Sequence, residues 1–515
     1  MLVLLTFILL FLSILAVIIL RLVRSGARYI WLTMGGVSLA WLSVLLWQLD
    51  LPWRSPAQLG NLALFSASPQ FSANSLSWIY ALSLAALAAT VILTSPARNI
   101  PVSTTSWAET LALTGLGLLA VLADNPLGLA LAWMSIDLAE FTIALRERPS
   151  LSESTWLAFA LRLGATGAAL WSNVIGVSST GQIFSLESAP SQAGIFLLAA
   201  VGLRLSALPL SLTYYPEQYT LRRGFGTVLC IVSAVTGLTV LARTAVTVID
   251  SSWLLPLFGL VAVAALYGGW RWLLAQDELH GRPYWLIGMS ALSLAAWLGG
   301  NATGTVAWGV ALILFGGIST LYTARQIWMT RLLAAMGLFI LSLPFTLTAS
   351  GWQADLPLPF LFWPLFVIAH AMLVAGYMRH LLHPAETAFA QLPNWAQVTY
   401  PLGIGLLAAT ILLGSVWGWP GAFLLGPWEV ALAVLLLSGA FFFLSRLPFT
   451  TSLAAIVNRP SRLDVLLRIS AQALSFIYQL VGEVILYISA LLEGDGGLLW
   501  TLLLLILLIS FLRER

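Results

Sequence analysis

Apolar blocks of roughly 20 residues follow one another from Met1 to Leu512, each closed by a short polar break. A helix needs about 20 apolar residues to cross the hydrocarbon layer, so the pattern predicts a series of membrane-spanning helices. Barrel strands do not fit, because their residues alternate between lipid and lumen whereas these runs are continuously apolar. Of the 515 residues, 60% are hydrophobic and 8% charged, too little polar surface to keep a soluble domain dispersed. The longest polar stretches, about 48 to 71 and 177 to 192, are too short to bury a core of their own. Lipid is therefore the main solvent, and any chemistry belongs inside the bilayer or to partner chains.

The runs predict helices at about 2 to 23, 29 to 47, 72 to 94, 106 to 123, 126 to 145, 155 to 176, 193 to 211, 224 to 249, 252 to 275, 283 to 299, 304 to 323, 328 to 350, 359 to 379, 400 to 418, 427 to 446, 465 to 491 and 497 to 512. The first run has no positive segment before it and is followed by Arg21, Arg24 and Arg28, which marks a retained helix and not a cleaved signal. With this alternation, Arg98, Arg146, Arg148, Arg222, Arg223, Arg282, Arg325, Arg331, Arg379 and Arg446 fall on the same side as those three. So do Arg459, Arg462, Arg468, Arg513 and Arg515. The opposite loops carry Arg54 and the acids Asp50, Asp124, Glu187, Asp250 and Asp355. The positive-inside bias then places the N-terminus outside and the C-terminus inside a bacterial or archaeal-type cytoplasmic membrane. Tryptophans near predicted helix ends, among them Trp31, Trp47, Trp53, Trp253, Trp417 and Trp428, read as interfacial anchors.

Several functions are disfavoured by composition. The lone cysteine, Cys230, can build neither a disulfide framework nor a thiolate metal site. His280, His380 and His383 read as loop residues and His370 as a solitary helical histidine without an HExxH pattern, so no metal is expected. The formal net charge is +3, every basic residue is arginine and most of them lie in the inside loops, which points to lipid headgroups and not to nucleic acid. Neither a Rossmann unit nor a cysteine cluster is present, so no cofactor is expected and any redox chemistry belongs to other subunits.

Charge at membrane depth is expensive, which makes each intramembrane ionisable residue a candidate site. These are Glu109, Asp137, Glu140, Arg162, Arg204, Arg243, His370, Glu429 and Glu483, with Arg271 near a helix end. Asp137 and Glu140 are three apart, on one helical face, and Arg162 and Arg204 lie on helices that follow closely. One reading is a buried network on a charge path; the other is a structural ion pair that holds helices together. Pro209 follows Arg204 within one apolar run and Pro344 interrupts another, so both mark candidate broken helices.

At these residues the chain resembles the antiporter-like membrane subunits shared by respiratory complex I, membrane-bound hydrogenases and Mrp-type cation/proton antiporters. The resemblance covers about residues 70 to 420. NSLSWIYALSLAALA looks like that family's third helix and LAWMSIDLAEF like its fifth, with Asp137 at the buried glutamate. VGLRLSALPLSLTYYPE is similar to the broken seventh helix, with Arg204 at the lysine, Pro209 at the proline and Glu217 at the exit acid. The resemblance implies an all-α fold of about fourteen helices with two inverted five-helix repeats containing broken helices, here with about three further C-terminal helices. Its implied divisions are 1–105, a first repeat over 106–250, a second over 251–382, and 383–515.

The chain departs from the family where the family carries titratable groups. Cys230 and Thr236 stand where histidine and lysine are usual, Ser319 stands at a lysine, and the region around Gly351 lacks the usual lysine or glutamate. Arginine stays protonated, so Arg204 can pair with Asp137 but is a poor proton relay. Two functions follow. The first is a non-catalytic subunit of a complex I-like, hydrogenase-like or Mrp-like assembly that contributes to proton or sodium translocation, with other membrane subunits as partners and Asp137, Glu140, Arg162, Arg204 and Glu217 on the ion pathway. The second is a non-conducting scaffold that keeps the fold without the lysine relay. An intramembrane enzyme would need acidic or metal-binding residues clustered in an outer loop, and no such cluster is apparent.

Overall fold

The computed structural model describes residues 1–23, 29–55, 68–98, 104–147, 153–181, 183–210, 221–353 and 361–446. These all belong to one unit, Met1–Ala454. The two last predicted helices lie outside the described residues, and so do Glu483 and the exit acid Glu217.

Fifteen α-helices occur among the described residues. In chain order they are α1 (Leu2–Val23), α2 (Tyr29–Leu45), α3 (Ser75–Leu93), α4 (Thr104–Leu122), α5 (Pro126–Glu147), α6 (Glu153–Thr180), α7 (Ser191–Leu205) and α8 (Phe225–Arg243). There follow α9 (Ser251–Leu274), α10 (Glu278–Leu298), α11 (Ala302–Leu321), α12 (Ile327–Met336), α13 (Trp363–Leu381), α14 (Asn394–Val416) and α15 (Trp428–Leu444). Ten of the helices are long and apolar enough to cross a bilayer, so this is a multi-pass membrane protein. The strand content described is one antiparallel pair, Trp53–Arg54 with Ser72–Ala73.

Burial sorts the helices by composition. The interior is built on α8 and α11, whose spans are wholly buried, and on α3, with α1 and α9 turned largely outward. The stretch of α3 from Ala81 to Thr90 is rich in Ala, and small side chains let α2, α4, α8, α11 and α14 pack closely around it. The approach is close between α9 and α10. A Cβ at Gly268 would sit 2.5 Å from the backbone nitrogen of Gly288, so the two backbones touch there. Helix starts are fixed by side-chain caps: Asn74 and Ser77 form a capping box on α3, and Asp250, Asp277 and Asn301 accept first-turn amides of α9, α10 and α11.

Two predicted helices are shorter than their apolar runs. α7 stops at Leu205, where Ser206 turns left-handed at φ 62°, and α12 passes into a 3₁₀ turn that ends at Ile340. Each stop falls four residues before a proline, Pro209 and Pro344. A proline ring clashes with the carbonyl four residues back and cannot donate to it, which ends regular helix at that point. The runs 193 to 211 and 328 to 350 therefore do not form single helices.

Two further readings are corrected. His280 lies in the first turn of α10 and His380 in the last turn of α13, so neither is a loop residue. Trp47 is not an interfacial anchor: it is fully buried against α1, with Nε1 donating to Thr6 Oγ1 at 2.9 Å. Trp31, Trp253, Trp417 and Trp428 are exposed on the outer surface.

Candidate functional site

The middle of α5 places one acidic face inward. Trp133, Ile136, Asp137 and Glu140 are buried, while Leu131, Met134 and Leu138 on the other face are exposed. This is the 3.6-residue period of a helix with one face in protein and one in lipid. Arg162 comes from α6 and Arg204 from the last turn of α7, and both reach this face.

Arg204 meets Asp137 bidentately, Nη1 to Oδ2 and Nη2 to Oδ1, each at 3.1 Å. Its Nε donates to Thr236 Oγ1 of α8 at 3.3 Å, and its guanidinium lies 4.6 Å from the centroid of the Trp133 ring. Arg162 is ion-paired with Glu140 through Nη1, and its Nε lies 3.9 Å from Asp137 Oδ1. All four side chains are buried, two positive and two negative, so the cluster is neutral as a whole. Neutrality and planar bidentate geometry are what make buried charges tolerable. The sequence-derived set Asp137, Glu140, Arg162 and Arg204 is thus brought together.

A guanidinium offers several donors in one plane and no acceptor, so each arginine can address more than one carboxylate oxygen. Arg162 stands between the two acids. Beside it an apolar cleft of about 390 Å³ opens between α5 and α6, lined by Leu131, Met134, Asp137, Leu138, Phe159 and Leu163.

Thr236, Ser319 and Cys230 are buried among local contacts. Thr236 donates to Ser233 O at 2.8 Å while accepting from Arg204, and Ser319 donates to Gly316 O at 3.0 Å. Cys230 is a buried free thiol. His370 is not isolated: Nε2 lies 2.8 Å from Ile340 O, the carbonyl that Pro344 leaves without a helical donor. Arg271 donates to Tyr284 OH at 2.8 Å, Glu109 pairs with Arg146, and Glu429 is exposed in the first turn of α15.

Two clusters were not apparent from sequence spacing. Arg243, at the end of α8, donates to Ser72 Oγ at 2.8 Å and to Asp124 Oδ1 at 3.2 Å, joining α8 to the loop between α4 and α5. At the end of the bundle where α10 begins, Arg223 contacts Glu278 Oε1 at 2.8 Å and Glu386 Oε2 at 2.9 Å, with Arg325 4.0 Å from Glu278. Burial opposes the charge on Arg223, but its two carboxylates outweigh that and raise its pKa. Nearby, burial pulls Arg98 down to about 10. The Arg98 guanidinium packs on Gly224, where a Cβ would stand 1.9 Å from Nη1. Such sets join segments more than 40 residues apart, and no local motif announces them.

No protein-family model matches the sequence, and no curated relative is found. Solved structures do match. A chain of the Mrp complex from Dietzia sp. DQ12-45-1b aligns over 99% of this chain with a TM-score of 0.70 at 14% identity. This chain spans 63% of that one's length. A chain of the membrane-bound sulfane sulfur reductase, an archaeal respiratory membrane complex, aligns over 98% of this chain and 99% of its own, with a TM-score of 0.66 at 16% identity. A chain of respiratory complex I from Thermus thermophilus aligns over 85% of this chain and 99% of its own, with a TM-score of 0.60 at 18% identity. The fold is therefore that of membrane subunits from these complexes, as the sequence resemblance implied.

Proposed function

We propose that this protein is a membrane subunit of an ion-translocating complex of the Mrp or complex I type. In it Asp137, Glu140, Arg162 and Arg204 contribute to proton or sodium movement by exchanging partners, while electron transfer or the antiport drive resides in other subunits. The observation that carries this reading is the position of Arg162, ion-paired with Glu140 and 3.9 Å from the acid that Arg204 also holds. A guanidinium placed between two carboxylates shifts charge along α5 with a small displacement, and the effect is strong where water is excluded. Fold likeness to chains of an Mrp complex and of respiratory complex I supports the assembly.

The second reading, a non-conducting scaffold, is favoured by Thr236 and Ser319, whose hydroxyl protons go to carbonyls of their own helices, and by Cys230. One experiment separates the two. The protein is purified in mild detergent, co-migrating subunits are identified by mass spectrometry, and the recovered complex is reconstituted for ion-translocation assays with Asp137→Asn and Arg204→Ala. Loss of translocation in an assembled complex supports the pathway. Unchanged translocation supports the scaffold, and recovery as a lone stable polypeptide overturns both.

A further inference from the structure

We infer that Glu278, His380 and His383 form a binding site for a borderline divalent metal ion of the Zn²⁺ class, at the end of the bundle where α13 stops and α10 starts. One ring nitrogen from each histidine and one carboxylate oxygen of Glu278 lie within 4.8 Å of one another. His383 Nδ1 is 3.7 Å from Glu278 Oε2. Ligands about 2.1 Å from a common tetrahedral ion stand about 3.4 Å apart, so modest side-chain closure completes the set.

Outer contacts prepare these groups for ligation. His380 is fully buried, and its Nε2 lies 3.1 Å from Trp272 O. Only an Nε2–H can donate to that carbonyl, which fixes the tautomer and leaves the lone pair on Nδ1. Nδ1 has no hydrogen-bond partner, although a buried polar atom normally finds one. A metal-bound histidine commonly shows this arrangement, one nitrogen on a backbone carbonyl and the other facing the ion. Glu278 is divided in the same way: Oε1 is held by Arg223 at 2.8 Å, and Oε2 faces His383.

The donor set identifies the ion class. Two imidazoles and one carboxylate suit Zn²⁺ or Co²⁺, whereas Ca²⁺ and Mg²⁺ take more oxygen ligands. Three protein ligands leave a fourth position open. His383 also lines a groove of about 280 Å³ with Arg325, Thr330 and Arg331, which gives a way in from the surface. Arg223 and Arg325 pair with Glu278, Glu386 also takes Arg223, and Arg379 adds positive charge near both histidines, so the open fourth position takes water or an anion. The ion would tie the end of α13 to the start of α10. This site is separate from the Asp137 cluster and does not depend on the ion-pathway reading.

The test uses the full chain, purified without a histidine tag, stripped with chelator and equilibrated with Zn²⁺ or Co²⁺ alone. One ion per chain is expected by mass spectrometry of the metal, with the visible bands of low-symmetry Co²⁺. His383→Ala and the size-conserving His383→Gln should each weaken binding at least tenfold, because losing even an outer contact of a metal ligand typically costs 10- to 100-fold. His280→Ala, in the first turn of α10 beside Glu278 but outside the set, should leave binding unchanged. Failure of the wild-type chain to retain an ion, or retention by the His383 variants as tight as by wild type, overturns the site.

Discussion

The two terminal nitrogens of Arg204 address the two oxygens of Asp137 at 3.1 Å each, in a place where neither side chain is exposed. Removing one partner strands the other charge, which for buried pairs costs about 3 to 5 kcal/mol. Arg204→Gln and Asp137→Asn should therefore each lower the unfolding midpoint in detergent markedly. The double variant Asp137→Asn/Arg204→Gln should recover part of the loss, since it removes both charges together. Losses that simply add would mean that the pair is not coupled.

Contact between α9 and α10 sets a steric prediction. A Cβ at Gly268 meets the Gly288 backbone nitrogen at 2.5 Å, and backbone cannot rotate aside, so Gly268→Ala should destabilise by about 1 to 3 kcal/mol. Gly405 in α14 has no such atom within 4 Å. Gly405→Ala should be neutral or stabilising by up to about 1 kcal/mol through helix propensity. Thermal unfolding of the two variants side by side checks the claim, and equal effects would refute it.

The helices were legible because apolar length and polar breaks are local properties of the chain. Asp137 and Glu140 were legible because a spacing of three fixes a shared face, and Arg204 because Pro209 and the surrounding frame mark that segment. What stayed hidden needed packing. Glu278, His380 and His383 come from α10 and the end of α13, about 100 residues apart, and sequence distance does not determine which helix ends meet. The i, i+3 spacing of His380 and His383 is the one local signal of this set. Trp47 misled for a similar reason, since a tryptophan near a helix end reads as interfacial until a neighbouring helix covers it.

Asp277 caps α10, accepting from the amides of Leu279 at 2.9 Å and His280 at 2.8 Å, with His280 Nδ1 at 2.7 Å. Partial burial raises its pKa, but these hydrogen bonds outweigh that and hold it below 3.8. A carboxylate whose folded pKa is depressed adds stability above its unfolded value and loses it as pH falls through the folded one. Asp277→Ala should cost about 1 kcal/mol at neutral pH, as for other N-caps. Asp277→Asn keeps the acceptor and should flatten the Asp277-dependent part of the decline below about pH 4. Parallel pH titrations of midpoint for wild type and Asp277→Asn decide it, and coincident slopes would be inconsistent with the assignment.

His370 sits where the second interrupted run needs a donor. Pro344 cannot supply the N–H that a helix would give to Ile340 O, and His370 Nε2 stands 2.8 Å from that oxygen, with the ring packed 4.8 Å from the Trp308 centroid. Phenylalanine fills the same space without a donor, so His370→Phe leaves a buried carbonyl unsatisfied, at a cost of about 1 to 3 kcal/mol. Gln offers an amide N–H to the same oxygen, and His370→Gln should retain more of the stability than His370→Phe. Hydrogen exchange should localise the loss to the segment from Gly337 to Trp352, which the interruption leaves without regular helix bonds. Protection lost evenly across the bundle would instead show that His370 acts only through volume, and equal stability of the Phe variant and wild type would remove the donor role altogether.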